Sequence, residues 1–250
     1  MPRPSKPQIL MPEVGHHNRD LGAATARLLR GQSYRDCSTV CLIPTRGGRS
    51  LHPLVVQSWM GLMLPMNQKF TRIFLTDMEV GDAYSQAIEM IRQHPDLKHW
   101  QYVLTLEDDN VVPPDGLLRL LETIQTYDVA AGLYWTKGPA GQPMIYGNPD
   151  EMPRHFRPQL PRPGQVMPVC GTGMGFTLYR MSMLLDERLP RPLFKTIQEY
   201  APQSGQRAYT QDLSASEHFL NLGYKLAVDC RVLVGHMDVD GVCDPPGLVW

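Results

Sequence analysis

From Ser38 onward the chain predicts an α/β fold: a mainly parallel sheet flanked by helices. Three observations carry that prediction. Short apolar runs rich in β-branched residues alternate with amphipathic stretches of helical spacing, the grammar of βαβ units. Gly, Pro, Asn and Asp punctuate the junctions between them. One apolar run ends in Glu107-Asp108-Asp109-Asn110, which puts carboxylates at the strand edge where open α/β sheets bind ligands.

Taken in order, residues 1–37 are rich in proline and polar residues and read as an N-terminal arm with one Ala-rich helical stretch, Leu21 to Arg30. The first strand is Thr39 to Ile43, followed by a helix from Leu51 to Leu62. A second strand, Arg72 to Leu75, leads into a helix from Asp82 to Gln93, and Tyr102 to Leu106 forms the third strand. Asp115 can cap a helix from Gly116 to Gln125, after which Asp128 to Tyr134 is a further strand. The proline-rich stretch from Pro149 to Gln165 predicts an irregular surface excursion. Val166 to Cys170 and Gly175 to Tyr179 are short strands, and a helix follows from Met181. Leu213 to Leu222 has helical spacing with Gly223 as its stop, and Lys225 to Val228 and Val232 to Val234 are extended.

The bulk composition narrows the function classes. The 250 residues suffice for a substantial core, with 42% hydrophobic and 20% charged residues. A formal net charge of −1 gives no global attraction to nucleic acid or membrane, so any polyanion contact has to come from a local patch. Cys37, Cys41, Cys170, Cys230 and Cys243 have no CxxC pair or zinc-like spacing and read as free thiols. Met1 to Pro7 lacks the apolar stretch of a secretory signal, and no run is long enough to span a membrane. A cytoplasmic location is therefore expected.

Adjacent carboxylates repel one another and raise each other's pKa, an arrangement relieved by a divalent cation. Hard oxygen donors suit Mg²⁺ or Mn²⁺, ions that keep open positions for substrate phosphates. An isolated acidic triplet would read as a solvated turn. Its place at a strand end argues for a site.

Cys41-Leu-Ile-Pro44-Thr45-Arg46, Leu104-Thr-Leu-Glu107-Asp108-Asp109 before Val-Val-Pro-Pro, and Asp128 to Tyr134 together resemble the GT-A class of nucleotide-sugar glycosyltransferases, especially small bacterial and phage members. The resemblance continues through Gly171 to Arg180, Pro192-Leu-Phe194, Gln211-Asp212 and Val232-Leu-Val-Gly-His236, covering roughly residues 38 to 238. It implies a GT-A, Rossmann-like domain over 38–240, with a nucleotide-sugar half at 38–135, an acceptor half with a smaller subsheet at 136–240, and a C-terminal tail at 241–250.

It also implies roles. The acidic cluster becomes the DxD motif, in a register that pairs either Glu107 with Asp109 or Asp108 with Asn110. Asp109 is the preferred metal ligand, because a carboxylate binds a hard cation better than the amide of Asn110, and Glu107 or Asp108 then meets the ribose or a metal-bound water. His236 matches a histidine that adds a further ligand and favours Mn²⁺ over Mg²⁺. Asp212 matches the base of inverting members, although the usual Glu-Asp pair is Gln211-Asp212 here, and Glu217 is a second candidate. Pro44, Thr45, Arg46 and Asp77 match residues that hold base and ribose. The family's Arg-Asn on the second helix is Tyr84-Ser85 in this chain.

Tyr134-Trp135 offers aromatic faces to a sugar or base, or fills the core. Gly171, Gly173 and Gly175 precede a strand and not a helix, so they predict a close backbone approach and not a phosphate loop. The expected activity is metal-dependent transfer from a nucleoside-diphosphate sugar, UDP-linked, to an acceptor hydroxyl. Arg154, His155, Arg157 and Arg162, with Arg3 and Lys6 in the arm, suit phosphate contacts, and the resemblance to phage members of the class implies 5-hydroxymethylcytosine in phage DNA as one acceptor. A saccharide or cell-envelope acceptor is the alternative. A non-catalytic nucleotide or nucleic-acid binding module and a nucleotidyltransferase are alternatives of other classes.

Overall fold

Residues 8–9, 35–45, 51–138, 141–201, 205–238 and 243–244 are described by the computed structural model, with backbone alone at 8–9, 199–201, 205–208 and 243–244. The expected helix at 21–30, and Arg3, Lys6 and Arg46, lie outside the described residues.

The elements run β1 Gln8–Ile9, β2 Thr39–Thr45, α1 Pro53–Gly61, β3 Phe70–Thr76, α2 Val80–Gln93, β4 Tyr102–Leu106, β5 Asn110–Val111, α3 Gly116–Thr123 and β6 Val129–Leu133. They continue with β7 Ile145–Tyr146, β8 Val166–Val169, β9 Gly171–Thr172, β10 Phe176–Arg180, α4 Met181–Leu184, β11 Ile197–Ala201, β12 Gly205–Tyr209, α5 Gln211–Asn221, β13 Leu226–Leu233, β14 Gly235–Met237 and β15 Cys243–Asp244.

The main sheet has eight strands in the order β1-β3-β2-β4-β10-β6-β13-β8. β2 is parallel to β3 and β4. β4 and β6 both pair antiparallel with β10 and so run the same way, and β13 is parallel to β6. Five strands therefore share one direction, against β1, β8 and β10, and the expected mainly parallel sheet is present.

Alternation along each strand feeds two cores, one on each face. In β2, Val40 and Leu42 join Ile88 and Ile91 of α2 and Phe219 of α5, whereas Cys41 and Ile43 join Val55 and Trp59 of α1 and Leu117 and Leu120 of α3. Burial on both faces explains why the central strands read as unbroken apolar runs. No helix among the described residues is long and apolar enough to cross a membrane, and Cys37, Cys41, Cys170 and Cys230 are free thiols.

A smaller sheet, β15-β14-β5, stands at the carboxyl end of β4 and matters most for the site. Its pairing aligns His236 with Asn110, joining residues 126 positions apart.

Some details depart from the sequence reading. Asp115 occupies the N-cap position of α3 but its side chain makes no capping bond. It pairs instead with Arg119 at 2.6 Å, one helical turn on. The helix from Met181 is only the four residues of α4, because the chain then turns through Asp186, which accepts from the Arg188 amide, and meets Pro190 and Pro192. The hairpin β11–β12 was not anticipated, since Ile197–Ala201 and Gly205–Tyr209 lack clean apolar alternation. The two extended pieces after Gly223 form one strand, β13, with a register shift between Asp229 and Leu233. Gly223 does stop α5, in the left-handed region at φ +86°. The stretch 149–165 is irregular, with only an isolated bridge between Tyr146 and Pro158.

Candidate active site at the carboxyl edge of the sheet

An open cleft of about 300 Å³ lies where several element ends converge. β2 contributes Pro44 and Thr45. The entry to α2 contributes Met78, Glu79 and Val80, the end of β4 contributes Glu107, Asp108 and Asp109, and Lys137 and Gln211 complete the wall. The starts of α2 and α5 can meet there only because residue 81 is glycine. A Cβ at Gly81 would lie 2.8 Å from the Phe194 carbonyl oxygen and 3.2 Å from the Cβ of Gln211.

Glu107, Asp109 and His236 each offer a ligand atom, and these atoms lie within 4.8 Å of one another. Asp108 lines the cleft without joining them, and Asn110 is turned into the protein, where its amide donates to the Gly235 carbonyl at 3.3 Å. Of the two registers open in the sequence, the geometry therefore brings Glu107 together with Asp109.

The electrostatics of the three groups are unbalanced. Burial and then the charge of Asp109 push the Glu107 carboxyl up to about 8, against a downward pull from His236. Burial also works against ionised Asp109, but His236 and Lys137 outweigh it and hold that carboxyl below its usual value. Lys137 Nζ lies 2.6 Å from Asp109 Oδ2, and His236 Nε2 lies 3.5 Å from Oδ1. Oδ1 is buried with no hydrogen-bond partner. Burial disfavours the His236 cation, yet the contact with Asp109 and the bond to the Trp135 carbonyl raise it above the ordinary histidine value.

That carbonyl, 2.8 Å from Nδ1, fixes the tautomer. A carbonyl only accepts, so Nδ1 carries the proton and the lone pair of the neutral ring belongs to Nε2, facing Asp109. An orphaned carboxylate oxygen, a second carboxyl group and an imidazole nitrogen, all within 4.8 Å of one another, make a donor set that fits Mn²⁺ or Mg²⁺.

Asp212, in the first turn of α5, is 8% exposed, and its Oδ1 accepts from the Leu213 amide at 2.9 Å. Desolvation raises its carboxyl. It adds to the field that raises Glu107, but Gln211 and not Asp212 forms the cleft wall. Glu217, further along α5, and Asp77 are likewise absent from the wall. Asp77 sits at φ +59° and donates its amide to the Thr45 carbonyl, turning the chain so that Met78 and Glu79 face the cleft instead.

Tyr134 is core: it is 2% exposed and its hydroxyl accepts from the Gly175 amide at 2.9 Å. The glycines do mark a close approach, since a Cβ at Gly173 would lie 2.0 Å from the Tyr134 hydroxyl and one at Gly175 2.6 Å from Asn110 Oδ1. Sequence reasoning missed Lys137, Met78 and Glu79. Glu79 caps α2 by accepting from the Asp82 amide at 3.1 Å. For Lys137 the available signal was its place four residues beyond the end of β6.

No protein-family model and no curated protein matches the sequence. Among solved structures, the chain overlaps A197 from STIV at TM-score 0.55 and 16% identity, covering 82% of this chain and 88% of that one, which shows a shared fold. Weaker overlaps occur with GalNAc-T7 crystallised with UDP, GalNAc and Mn²⁺ (TM-score 0.48, 11% identity, 82% of this chain, 44% of that chain). A further one is with S. aureus TarS 1–349 (TM-score 0.42, 13% identity, 76% of this chain, 57% of that chain). This chain thus spans less than two thirds of either of those two.

Proposed function

We propose that the protein is a metal-dependent glycosyltransferase that moves a sugar from a nucleoside-diphosphate donor, UDP-linked, to an acceptor hydroxyl. The observation that carries this reading is the meeting of Glu107, Asp109 and His236 beside a cleft at the carboxyl edge of a nucleotide-binding type of sheet. Residues 38–135 form the donor half and 136–240 the acceptor half, between the arm at 1–37 and the tail at 241–250. The enzyme works in the cytoplasm, that of the host where a phage carries it.

Asp109 and His236 would hold the ion, with Glu107 as their partner and Asp108 toward the ribose. When bound, the ion supplies positive charge for a leaving diphosphate. Pro44, Thr45 and Arg46 position the base and ribose, and Asp77, off the cleft wall, contributes through the turn that brings Met78 and Glu79 to it. Asp212 is the general base: the acceptor oxygen forms a bond to the anomeric carbon while its proton passes to the Asp212 carboxylate. The bond from that carbon to the diphosphate oxygen breaks, and its electron pair leaves with the nucleoside diphosphate. A carboxyl raised by burial suits this work near neutral pH.

For the acceptor, 5-hydroxymethylcytosine in DNA is the finer proposal. Arg154, Arg157 and Arg162 are exposed on the 149–165 excursion. His155 is held by Glu151 at 2.9 Å, and Arg154 reaches Asn221 at 3.0 Å. Asn221 ends the helix that Gln211 begins, so the contact that holds Arg154 lies roughly 15 Å along that helix from the cleft wall at 1.5 Å per residue.

The test is nucleoside diphosphate release from a panel of nucleotide sugars with Mn²⁺, with and without hydroxymethylcytosine DNA. Release should occur and disappear in Asp109→Ala. Absence of release from the native protein, or undiminished release from the variant, would refute the transfer mechanism. Pyrophosphate in place of nucleoside diphosphate would identify nucleotidyl transfer.

A further inference from the structure

We propose that Lys137 is an internal counter-cation of this site, an ammonium that occupies Asp109 before a divalent ion binds and has to leave when one does. The inference rests on the metal-site reading above and adds to it a residue that competes with the ion.

The geometry is that of one carboxylate shared between two cations. Lys137 Nζ holds Asp109 Oδ2 at 2.6 Å, and His236 approaches Oδ1 at 3.5 Å, with the Lys137 and Asp109 side chains 29% and 26% exposed. A divalent ion among Glu107, Asp109 and His236 would face that ammonium across a single carboxyl group in a partly desolvated cleft. Two cations so placed repel strongly, and screening by solvent is incomplete there.

The surrounding chain lets the side chain move alone. The backbone on both sides is pinned: Trp135 bridges Pro143, the Thr136 amide donates to the Gln142 carbonyl at 2.9 Å, and the Gln142 amide donates to Thr136 Oγ1 at 2.8 Å. A lysine reaches Asp109 on a flexible four-carbon stem and holds it as a point charge, so it can swing away without disturbing that anchored loop. An arginine would grip both carboxylate oxygens with its planar fork and compete for the orphaned Oδ1 as well. Lysine is thus the cation that satisfies the acidic cluster and still releases it.

The competition gives a signed order that a purely structural ion pair would not. Mn²⁺ binding to the full-length protein, without nucleotide, is followed by the electron paramagnetic resonance of free Mn²⁺ for native protein, Lys137→Met, Lys137→Gln and Lys137→Arg. Both neutral variants should bind Mn²⁺ about tenfold more tightly than native protein and show a larger Mn²⁺-induced rise in melting temperature, and Lys137→Arg should bind more weakly. Circular dichroism selects the neutral variant that keeps the native fold. Native binding with unchanged or weaker binding by the folded neutral variant would overturn the counter-cation while leaving the metal site intact. If no folded protein of the set binds Mn²⁺, the metal reading and this inference fall together.

Discussion

Replacing Gly175 with alanine tests whether the floor of the acidic cluster is as tightly built as its contacts imply. The new Cβ would lie 2.6 Å from Asn110 Oδ1, 2.9 Å from Tyr134 Cζ and 3.1 Å from Asn110 Cγ, where ordinary contact starts near 3.4 Å. Something has to yield by about 0.8 Å, and neither neighbour is free to do so. Asn110 is fully buried and bonded to the Gly235 carbonyl, and the Tyr134 hydroxyl accepts the Gly175 amide itself. The Gly175 carbonyl in turn accepts the Glu107 amide at 3.0 Å, so strain passes directly to the cluster.

Overpacking of this kind costs about 1–3 kcal/mol and a weakened buried hydrogen bond about 1 kcal/mol more. At about 2–4 °C per kcal/mol for a chain of this length, Gly175→Ala should melt on the order of 5–15 °C lower and, if the proposed metal site holds, bind Mn²⁺ more weakly. Gly61→Ala is the matched control. Gly61 is exposed at the end of α1, a Cβ there meets nothing within 4 Å, and the same substitution should stabilise by about 0.4–1 kcal/mol. Melting followed by circular dichroism, with Mn²⁺ titration, decides. A Gly175→Ala protein that melts with the native one and binds Mn²⁺ equally would refute the claim that this junction sets the position of Glu107.

Asp229 is fully buried and accepts from Thr123 Oγ1 at 2.7 Å and from Arg231 at 2.7 and 2.9 Å. Because Arg231 is 31% exposed and keeps Glu122 at 3.4 Å, Asp229→Ala should cost about 3 kcal/mol, the low end for a broken buried pair, or roughly 6–12 °C in melting. Burial alone would raise this carboxyl, but the bonds from Arg231 and Thr123 hold it below its ordinary value. Its stabilisation is therefore complete above the unfolded pKa of about 3.9 and lost as pH falls through the folded value, so an acid titration of Asp229→Asn should lack that loss. In the proposed transfer, Asp212→Asn should lower kcat by about 10²–10⁴ with little change in donor KM, and should remove a rise in rate as pH climbs through the elevated Asp212 pKa. A donor-KM effect alone would exclude the base role. Charge reversal at Arg157 and Arg162 should abolish salt-dependent DNA binding and leave donor hydrolysis intact; DNA binding unchanged by the reversal would remove the nucleic-acid acceptor.

The parts of this molecule that could be read from its sequence are those set by local rules. β4 is an apolar run ended by charges, α5 has helical spacing and a glycine stop, and the two-core sheet follows from strands buried on both faces. Asp109 was recognisable as a candidate because its acidic cluster ends an apolar strand, and His236 through the motif resemblance. Their juxtaposition was implied by that resemblance and not by local pattern, because it depends on the register between β5 and β14, two strands too short to leave a periodic signal. The signal for Lys137 was weak for a related reason: a lysine just beyond a strand is usually a solvated charge, and its contact with Asp109 is a tertiary one. Trp135 illustrates the same limit from the other side, since its ring suggested a stacking surface and the atom that bears on the site is its backbone oxygen.

The charge distribution of the cleft constrains the order in which it can fill. Four acidic residues line it, Glu79, Asp108, Asp109 and Glu107, the last with its carboxyl pushed up to about 8, against Lys137 on the wall and His236 beside Asp109. A nucleoside diphosphate adds further negative charge, and a partly buried anion without a compensating partner is strongly disfavoured. Of the amides at the start of α2, that of Asp82 is already taken by the Glu79 carboxylate. In the proposed reaction the diphosphate must therefore arrive with the ion or after it. Donor affinity should depend steeply on Mn²⁺, whereas Mn²⁺ should bind measurably without the donor; a diphosphate that binds equally well without the ion would contradict this electrostatic argument.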